Sequence, residues 1–136
     1  MAERQTIWDP LRKKDVALTP EERVRQWCIG VLSSQMEVPM HMMMSEAGFK
    51  LGDKQFRADI LVYDRRLSPL VVVECKRPEV ELTREVLEQA IRYNMVLKVK
   101  YIIVSNGTKT LILEKNGSGY GFIDHVPKYN EMLCLQ

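Results

Sequence analysis

Three charged residues stand at the ends of two stretches that are otherwise apolar. Asp59 comes directly before Ile60–Tyr63, while Glu74 and Lys76 come after Leu70–Val73. Both stretches are rich in β-branched residues, and the run between them contains charged residues, serine and proline, which is typical of a β-hairpin. Charged side chains are seldom buried without a partner, so their place at the ends of core-like strands indicates a chemical role.

The expected pairing of the two strands brings the three charges together. If Asp64 pairs with Pro69 across the turn, counting back along both strands places Asp59 opposite Glu74. Directly opposed residues have Cβ atoms about 4.5–5.5 Å apart on one face, and Lys76, two residues after Glu74, joins that face. Two such carboxylates repel each other unless a divalent cation lies between them, and magnesium prefers oxygen ligands of this kind. The pattern therefore predicts a magnesium or manganese site beside an ammonium group suited to phosphoryl chemistry.

The same residues resemble a known nuclease family. Asp59 followed by Glu74-Cys75-Lys76 resembles the PD-(D/E)xK nuclease motif, without the proline before the aspartate. The surrounding sequence is similar to the N-terminal nuclease domain of type I restriction enzyme R subunits, from about Ile7 to about Leu113. The segments that carry this resemblance are Arg57-Ala-Asp-Ile-Leu61, Val72-Val-Glu-Cys-Lys-Arg-Pro78, Gln89-Ala-Ile-Arg-Tyr93 and Val104-Ser-Asn-Gly107.

This resemblance implies a magnesium-dependent DNA endonuclease. Asp59 and Glu74 would bind the metal together with the backbone carbonyl of Cys75. The metal and Lys76 would activate a water molecule for in-line attack on a phosphodiester bond. In such enzymes the Gln-x-x-x-Tyr pair, here Gln89 and Tyr93, positions the DNA backbone.

The first predicted helix offers a further candidate ligand. Thr19 is expected to cap the helix, Pro20 fits its first position, and Glu22 completes a capping box. The resemblance implies that a glutamate on this helix supplies an extra metal contact, and Glu22 is its counterpart. The capping role explains Glu22 as well, so both roles stay open. Glu46 is the substitute acidic residue if Glu22 proves remote from the site.

A second predicted helix carries the Gln89 and Tyr93 pair. It begins after Thr83, and its two candidate residues are four apart, so they lie on one face. The run Lys100–Ser105 then follows as a short buried strand, and the strand–helix–strand order implies a parallel, right-handed crossover. Strands that are apolar on both faces need cover on both. We therefore expect an α/β fold: a three-layer restriction-endonuclease-like domain with a mixed central β-sheet flanked by helices.

Length and composition fit this expectation. The chain has 136 residues, of which 46% are hydrophobic and 28% charged, typical of one globular domain. We expect residues 1–136 to form a single domain in which 1–18 are an irregular arm, with Trp8 either packed on the core or contacting DNA. Met40–Met44 fits a short helix or a strand. The segment 125–136 fits a short final helix.

Charge and cysteine content narrow the class of partner. The net charge is only +2, so a DNA-binding face would require local clustering of basic residues or a second copy of the chain as a homodimer. Three widely spaced cysteines and two histidines do not form a zinc motif. With no signal peptide and no long apolar run, we expect a cytoplasmic protein without a membrane partner.

Three interpretations of the charged trio remain open. The first is the endonuclease. The second is a catalytically silent nuclease-fold module that binds DNA or assembles with other subunits. The third is a plain ion-pair cluster at a sheet edge. Type I R subunits carry a translocating motor, and this sequence has no Gly-x-x-x-x-Gly-Lys-Ser/Thr loop. A separate motor or specificity subunit is therefore an expected partner, and the chain is a free-standing relative, a fragment or a retired nuclease.

Overall fold

The computed structural model describes residues 4–134, which form eight strands, three α-helices and two short 3₁₀ turns. The strands are β1 (Thr6–Asp9), β2 (Lys14–Ala17), β3 (Met43–Leu51), β4 (Lys54–Tyr63), β5 (Pro69–Cys75), β6 (Tyr101–Ser105), β7 (Thr110–Asn116) and β8 (Gly119–Ile123). The helices are α1 (Pro20–Ser34), α2 (Arg84–Asn94) and α3 (Tyr129–Met132), and the 3₁₀ turns are Met40–Met42 and Met95–Leu97. None of the helices in this range has the length and apolarity needed to span a membrane.

Six strands form one mixed sheet in the order β3-β4-β5-β6-β7-β8. Neighbouring strands run antiparallel except for β5 and β6, which are parallel and are joined by the crossover through α2. The parallel pairing that the strand–helix–strand order predicts is therefore confirmed. So is the mixed α/β architecture.

Each face of the sheet is covered by a helix, because alternate residues of its strands point to opposite sides. On one side Val71 and Val73 pack with Cys28 and Ile29 of α1 in the first core cluster. On the other side Val72 and Ile102 pack with Leu87 and Ala90 of α2 in the second. The three predicted layers follow from this alternation.

The pairing of β4 with β5 differs from the prediction at the turn and agrees with it at the far end. Tyr63, not Asp64, pairs with Pro69, and the register shifts by a bulge between Val62 and Tyr63. Asp64 instead donates its backbone N–H to the carbonyl of Ser68 (2.8 Å). Beyond the bulge Ile60 pairs with Val73, the register that the prediction requires. The one-residue shift at the bulge therefore corrects the predicted pairing at the turn, and the register at the charged residues is the predicted one.

Both predicted helix caps form. The backbone N–H of Glu22 donates to Thr19 Oγ1 (3.0 Å), and that of Val86 donates to Thr83 Oγ1 (3.3 Å). The capping box at Thr19 is only half formed, because the backbone N–H of Thr19 donates to the carbonyl of Ala17 instead. The carboxylate of Glu22 is thus left for other partners.

The N-terminal segment is more ordered than we expect from its sequence. Residues 1–3 lie outside the described part of the chain, but Thr6–Asp9 and Lys14–Ala17 form an antiparallel hairpin where we predict an irregular arm. Trp8 is 56% exposed and does not pack on the core, whereas Asp9 is fully buried. The cause is an ion pair that the sequence pattern does not reveal: Asp9 accepts hydrogen bonds from the backbone of Leu11 and from the guanidinium of Arg12.

The structure also decides the form of the methionine-rich segment and of the C-terminal segment. The methionine-rich segment combines both predicted forms, because Met40–Met42 is a 3₁₀ turn and β3 begins at Met43. At the other end, Tyr129–Met132 forms the short final helix, and the last two residues lie outside the described range.

Candidate active site

An open cavity of about 620 Å³ lies where β4 and β5 meet the first turn of α1 and one side of α2. Six of the seven predicted site residues line it, and they come from three elements and the segment that follows β5: Asp59, Glu74, Cys75, Lys76, Gln89 and Tyr93. Antiparallel pairing of β4 with β5 brings Asp59 beside Glu74 and Lys76. The crossover then places α2 over the same end of these strands. The tertiary structure therefore brings together residues that are up to 34 positions apart in the sequence.

Each of the two central carboxylates has partners on both oxygens. Asp59 Oδ2 accepts the backbone N–H of Cys75 (2.7 Å), and Asp59 Oδ1 lies 4.0 Å from the guanidinium of Arg25. Glu74 Oε2 is 2.8 Å from Lys76 Nζ, and its Oε1 accepts a hydrogen bond from the side-chain amide of Asn94 (3.2 Å). The acidic pair is therefore oriented by the protein and neutralised in part by two cations.

The pKa of Asp59 indicates that Arg25 does not fully offset the cost of burying the negative charge of this carboxylate. Burial raises the pKa of Asp59 above its usual value. The Cys75 N–H and Arg25 oppose the rise, while the nearby charges of Glu21 and Glu74 add to it. Three acidic side chains therefore act on one another in the cavity, which is the electrostatic setting that a bound cation would relieve.

The donor atoms in the cavity fit a hard divalent cation. No group of three or more His, Cys, Asp and Glu side chains in residues 4–134 forms a ready-made metal site. Magnesium does not need one, because it commonly binds one or two protein carboxylates and keeps several water ligands. Asp59, Glu74 and the carbonyl of Cys75 are oxygen donors of that kind. Soft metals lack a matching ligand set among these groups.

The side chain of Cys75 belongs to the core and is not a candidate metal ligand. It contacts Cys28 of α1, and both cysteines are buried. The hydrogen bond with Cys28, followed by burial, raises the pKa of the Cys75 thiol far above its usual value. A thiol that stays protonated is a poor metal ligand, which leaves the backbone carbonyl as the donor that Cys75 can offer.

Glu21, and not Glu22, is the α1 glutamate that lines the cavity. Glu22 is buried against Arg12, whose Nη2 lies 2.8 Å from both carboxylate oxygens, and it also accepts a hydrogen bond from Gln26 (2.9 Å). The expectation that Glu22 contributes a metal ligand is corrected accordingly. Glu22 faces away from the cavity that Glu21 lines, because adjacent helical residues point about 100° apart.

Glu46 does not line the cavity either. It lies on β3 at the ladder position opposite Asp59, where the regular pairing skips one step, and its φ is 52°. Burial alone would raise the pKa of Glu46, but Arg25, Arg57 and Arg12 together lower it below its usual value. Its oxygens lie 3.2–3.4 Å from the nearest nitrogens of these three arginines. Glu46 therefore holds arginines beside the site and is not the substitute ligand.

Two residues of the site escape the sequence analysis. Arg25 is buried, and its guanidinium contacts both Glu46 (3.4 Å) and Asp59 (4.0 Å). Asn94 is also buried, and its amide bridges Glu74 and the carbonyl of Ala90. Their spacing offers a weak signal: a polar residue on the apolar face of a predicted helix needs a partner. The identity of that partner depends on tertiary contacts.

Gln89 and Tyr93 line the wall of the cavity that α2 provides. The Tyr93 hydroxyl accepts the backbone N–H of Arg57 (3.1 Å), and its ring lies 5.4 Å from that of Phe56. These contacts fix the tyrosine at the mouth of the cavity. Both side chains remain exposed.

Comparisons with known proteins agree with this architecture. The family model described as "Type I restriction enzyme R protein N terminus (HSDR_N)" matches residues 20–127. A solved fragment assigned to the HsdR subunit of a type I restriction enzyme from Vibrio vulnificus YJ016 has a TM-score of 0.61 and 21% identity, over 85% of this chain and 24% of that one. No curated protein matches the chain significantly.

A second solved structure, assigned to the nucleases of DUF820 from Anabaena variabilis ATCC 29413, has a TM-score of 0.51 and 12% identity, over 91% of this chain and 79% of that one. At these identities the two likenesses show the fold. The chain spans about a quarter of the length of the Vibrio fragment. Because the family model covers more than half of the sequence, the chain belongs to the family of type I restriction enzyme R protein N termini, and its fold is restriction-endonuclease-like.

Proposed function

We propose that this domain is a magnesium- or manganese-dependent endonuclease that hydrolyses phosphodiester bonds in DNA. One observation carries the proposal: Asp59, Glu74 and Lys76 line a single open cavity, and the two carboxylates are held there by Cys75, Arg25 and Asn94. A plain surface ion pair contributes little stability and would not need such support. A site that must grip a cation beside a phosphate does.

Each residue has a defined role in this proposal. Asp59, Glu74 and the carbonyl of Cys75 hold the metal, and Glu21 lines the same cavity as a further acidic group. The metal, when bound, supplies charge neutralisation and an activated water. Lys76 Nζ moves from Glu74 to the attacking water or to the phosphate oxygens, where an ammonium stabilises developing negative charge. Gln89 and Tyr93 position the strand that is cut.

The DNA must reach the cavity along a surface with few net charges. Arg57 and Arg77 stand at its rim, and their side chains are more than half exposed. Both are paired with a neighbouring glutamate, so phosphate contacts would replace these pairs. We propose DNA and the other subunits of a restriction complex as partners, and a homodimer as a second way to widen the basic surface.

Plasmid nicking tests the catalytic proposal. Supercoiled DNA is incubated with the protein and magnesium or manganese, beside Asp59→Asn and Lys76→Met. We expect metal-dependent nicking that falls by about 100- to 10,000-fold in Lys76→Met and disappears in Asp59→Asn. The matched controls are Asp124→Asn and Lys115→Met, which alter exposed residues of the same types away from the cavity and should nick as the wild type does.

Thermal unfolding with added metal gives an independent readout. A cation that binds only the folded protein raises the Tm, so manganese should stabilise the wild type and both control variants but not Asp59→Asn. DNA binding that is indifferent to metal, with no nicking, would favour the silent DNA-binding module. A chain with neither binding nor nicking would leave the ion-pair cluster.

A further inference from the structure

A second, shallower cavity of about 260 Å³ opens beside the candidate active site. It is lined by Arg23, Val24 and Trp27 of α1, by Pro78, and by the turn Asn106–Thr108. Trp27 is 46% exposed, although large aromatic side chains usually bury most of their surface in a core. An aromatic face left open in a concave site indicates a ligand with a flat apolar face.

The turn Asn106–Thr108, which forms another wall of this cavity, is held by hydrogen bonds within the protein. Asn106 donates its side-chain amide to the carbonyl of Val80 (2.8 Å) and accepts the backbone N–H groups of Thr108 (2.9 Å) and Lys109 (2.7 Å). Gly107 has a φ of 88°, and a Cβ atom there would lie 3.3 Å from the side chain of Val24. The turn thus packs directly on α1 and keeps the cavity open.

Two segments of the chain, α1 and the residues that follow β5, line both cavities. Lys76 and Arg77 line the first cavity and Pro78 lines the second. On α1, Glu21 lines the first and Trp27 the second. Six residues of α-helix rise about 9 Å and also rotate by about 240°, so the two side chains point to different sides of α1. At about 3.4 Å per nucleotide, a strand with its phosphate in the first cavity would therefore need at least about three nucleotides to place a base at Trp27.

The chemistry of the second cavity suits a nucleotide. Its lining residues include the cation Arg23 and no acidic residue, and Lys109 follows directly in the exposed turn. Proteins that hold single-stranded DNA combine such basic groups with aromatic rings on which bases stack. A base inside a duplex already has both faces covered by its neighbours, so only an unstacked base can offer a face to a side chain.

We propose that Trp27 is the stacking platform for an unpaired nucleobase of the DNA that occupies the candidate active site. This inference rests on the proposed nuclease function and narrows its substrate class to DNA with an unpaired stretch: a single strand, a flap or a locally opened duplex. Arg23 and Lys109 contact the phosphates that flank the stacked base.

Binding without metal tests the platform separately from cleavage. In the presence of EDTA, a fluorescein-labelled thymidine 12-mer is titrated with the wild type, Trp27→Ala and Trp27→Phe, and its anisotropy gives the Kd. We expect Trp27→Ala to weaken binding by about 5- to 150-fold and Trp27→Phe to restore most of the affinity. The matched control is Phe122→Ala, which removes an exposed aromatic side chain of β8 that lines neither of these two cavities and should bind as the wild type does.

Tryptophan fluorescence adds a direct readout of the contact. The sequence has two tryptophans, so Trp8→Phe leaves Trp27 as the only one. We expect the 12-mer to quench this protein and a blunt 12-base-pair duplex to leave it unchanged. Equal quenching by the duplex would overturn the unpaired-base assignment. An unchanged Kd in Trp27→Ala, or an equal loss in Trp27→Phe with an unchanged Tm, would overturn stacking. Because no step needs metal, a chain that fails to nick DNA can still confirm or refute the platform.

Discussion

Arg25 and Lys76 occupy the places where a cation would act on Asp59 and Glu74. Lys76 Nζ is 2.8 Å from Glu74, and the guanidinium of Arg25 is 4.0 Å from Asp59. These groups keep two half-buried carboxylates in one cavity in the absence of metal. In the proposed mechanism a bound metal would release Lys76 from its pair, so metal binding and the availability of this amine would be linked.

The raised pKa of Asp59 predicts that the wild-type residue destabilises the metal-free protein at neutral pH. Burial raises the pKa in the folded chain, so the folded state binds a proton more tightly than the unfolded state does. Stability is then fully present below the unfolded pKa, near 3.8, and is lost as the pH rises through the folded value. In EDTA at pH 7, Asp59→Asn should therefore have a higher Tm than the wild type.

The same comparison near pH 3.5 should give a smaller difference, because Asp59 is then mostly protonated in both states. Differential scanning calorimetry at both pH values measures the effect. Asp124→Asn, at an exposed aspartate, is the control and should change the Tm little at either pH. A lower Tm for Asp59→Asn at pH 7 would contradict the prediction.

At the scale of elements, Arg12 joins three parts of the chain that are separate in sequence. Its guanidinium contacts Asp9 at the end of β1, Glu22 in α1 and Glu46 in β3. Arg25 continues the network from Glu46 to Asp59. The N-terminal hairpin therefore packs on the first turn of α1, which also carries Glu21 of the candidate site.

Loss of Arg12 should destabilise the protein strongly. Arg12→Met leaves the carboxylates of Asp9 and Glu22 buried without their main cation, which costs about 3–5 kcal/mol when one partner of a buried pair is removed. Arg84→Met is the control, because Arg84 forms an exposed pair with Glu88, and its loss should cost no more than about 0.5 kcal/mol. Urea unfolding of both variants measures the difference, and similar costs would contradict the role of Arg12.

The hairpin should also make the protein sensitive to acid. Burial would raise the pKa of Asp9, but the hydrogen bonds from Arg12 and the Leu11 N–H, with the charge of Arg12, lower it below 3.8. The unfolded state then binds the proton more tightly, so this stability is present above the unfolded pKa and is lost as the pH falls through the folded one. Between pH 6 and pH 3 we expect the free energy of unfolding to fall more steeply in the wild type than in Asp9→Asn. Equal slopes in the two proteins would refute this.

At the scale of the whole molecule, both helical layers depend on one sheet. Ile60, Val71 and Val73 face α1, whereas Leu61, Val72 and Ile102 face α2. The two core clusters therefore lie on opposite faces of the same hydrogen-bonded strands, and their side chains do not contact one another across the sheet. The candidate site is lined by residues of both helices and of the sheet between them, so its geometry depends on both layers.

Damage to the α2 side should consequently unfold the whole domain in one transition. Ile102→Ala empties a fully buried position and should cost about 2–5 kcal/mol. Leu67→Ala is the control, because Leu67 is 71% exposed, and its cost should stay within about 0.5 kcal/mol. Circular dichroism and tryptophan fluorescence should give coincident unfolding curves for Ile102→Ala. Separate transitions would mean that the two cores fold independently.

The sequence alone determined the parts of this structure that depend on local periodicity. Two continuous runs of apolar, mostly β-branched residues specify the strands on either side of Asp64, and Thr19 and Thr83 specify where two helices begin, because their side chains satisfy backbone N–H groups nearby. The two-residue spacing of Glu74, in β5, and Lys76, directly after its end, directs both side chains to one side wherever this stretch is extended. These features need no knowledge of distant contacts.

Only the tertiary structure decided which further residues join the site. Glu21 and Glu22 are neighbours in one helical turn, and the docking of α1 selects which of them faces the cavity. Arg25 and Asn94 become site residues because their helices pack against β4 and β5, at positions that sequence spacing cannot specify. The physical reason is that rotation of a docked helix and pairing of buried charges are fixed by contacts between segments remote in the chain.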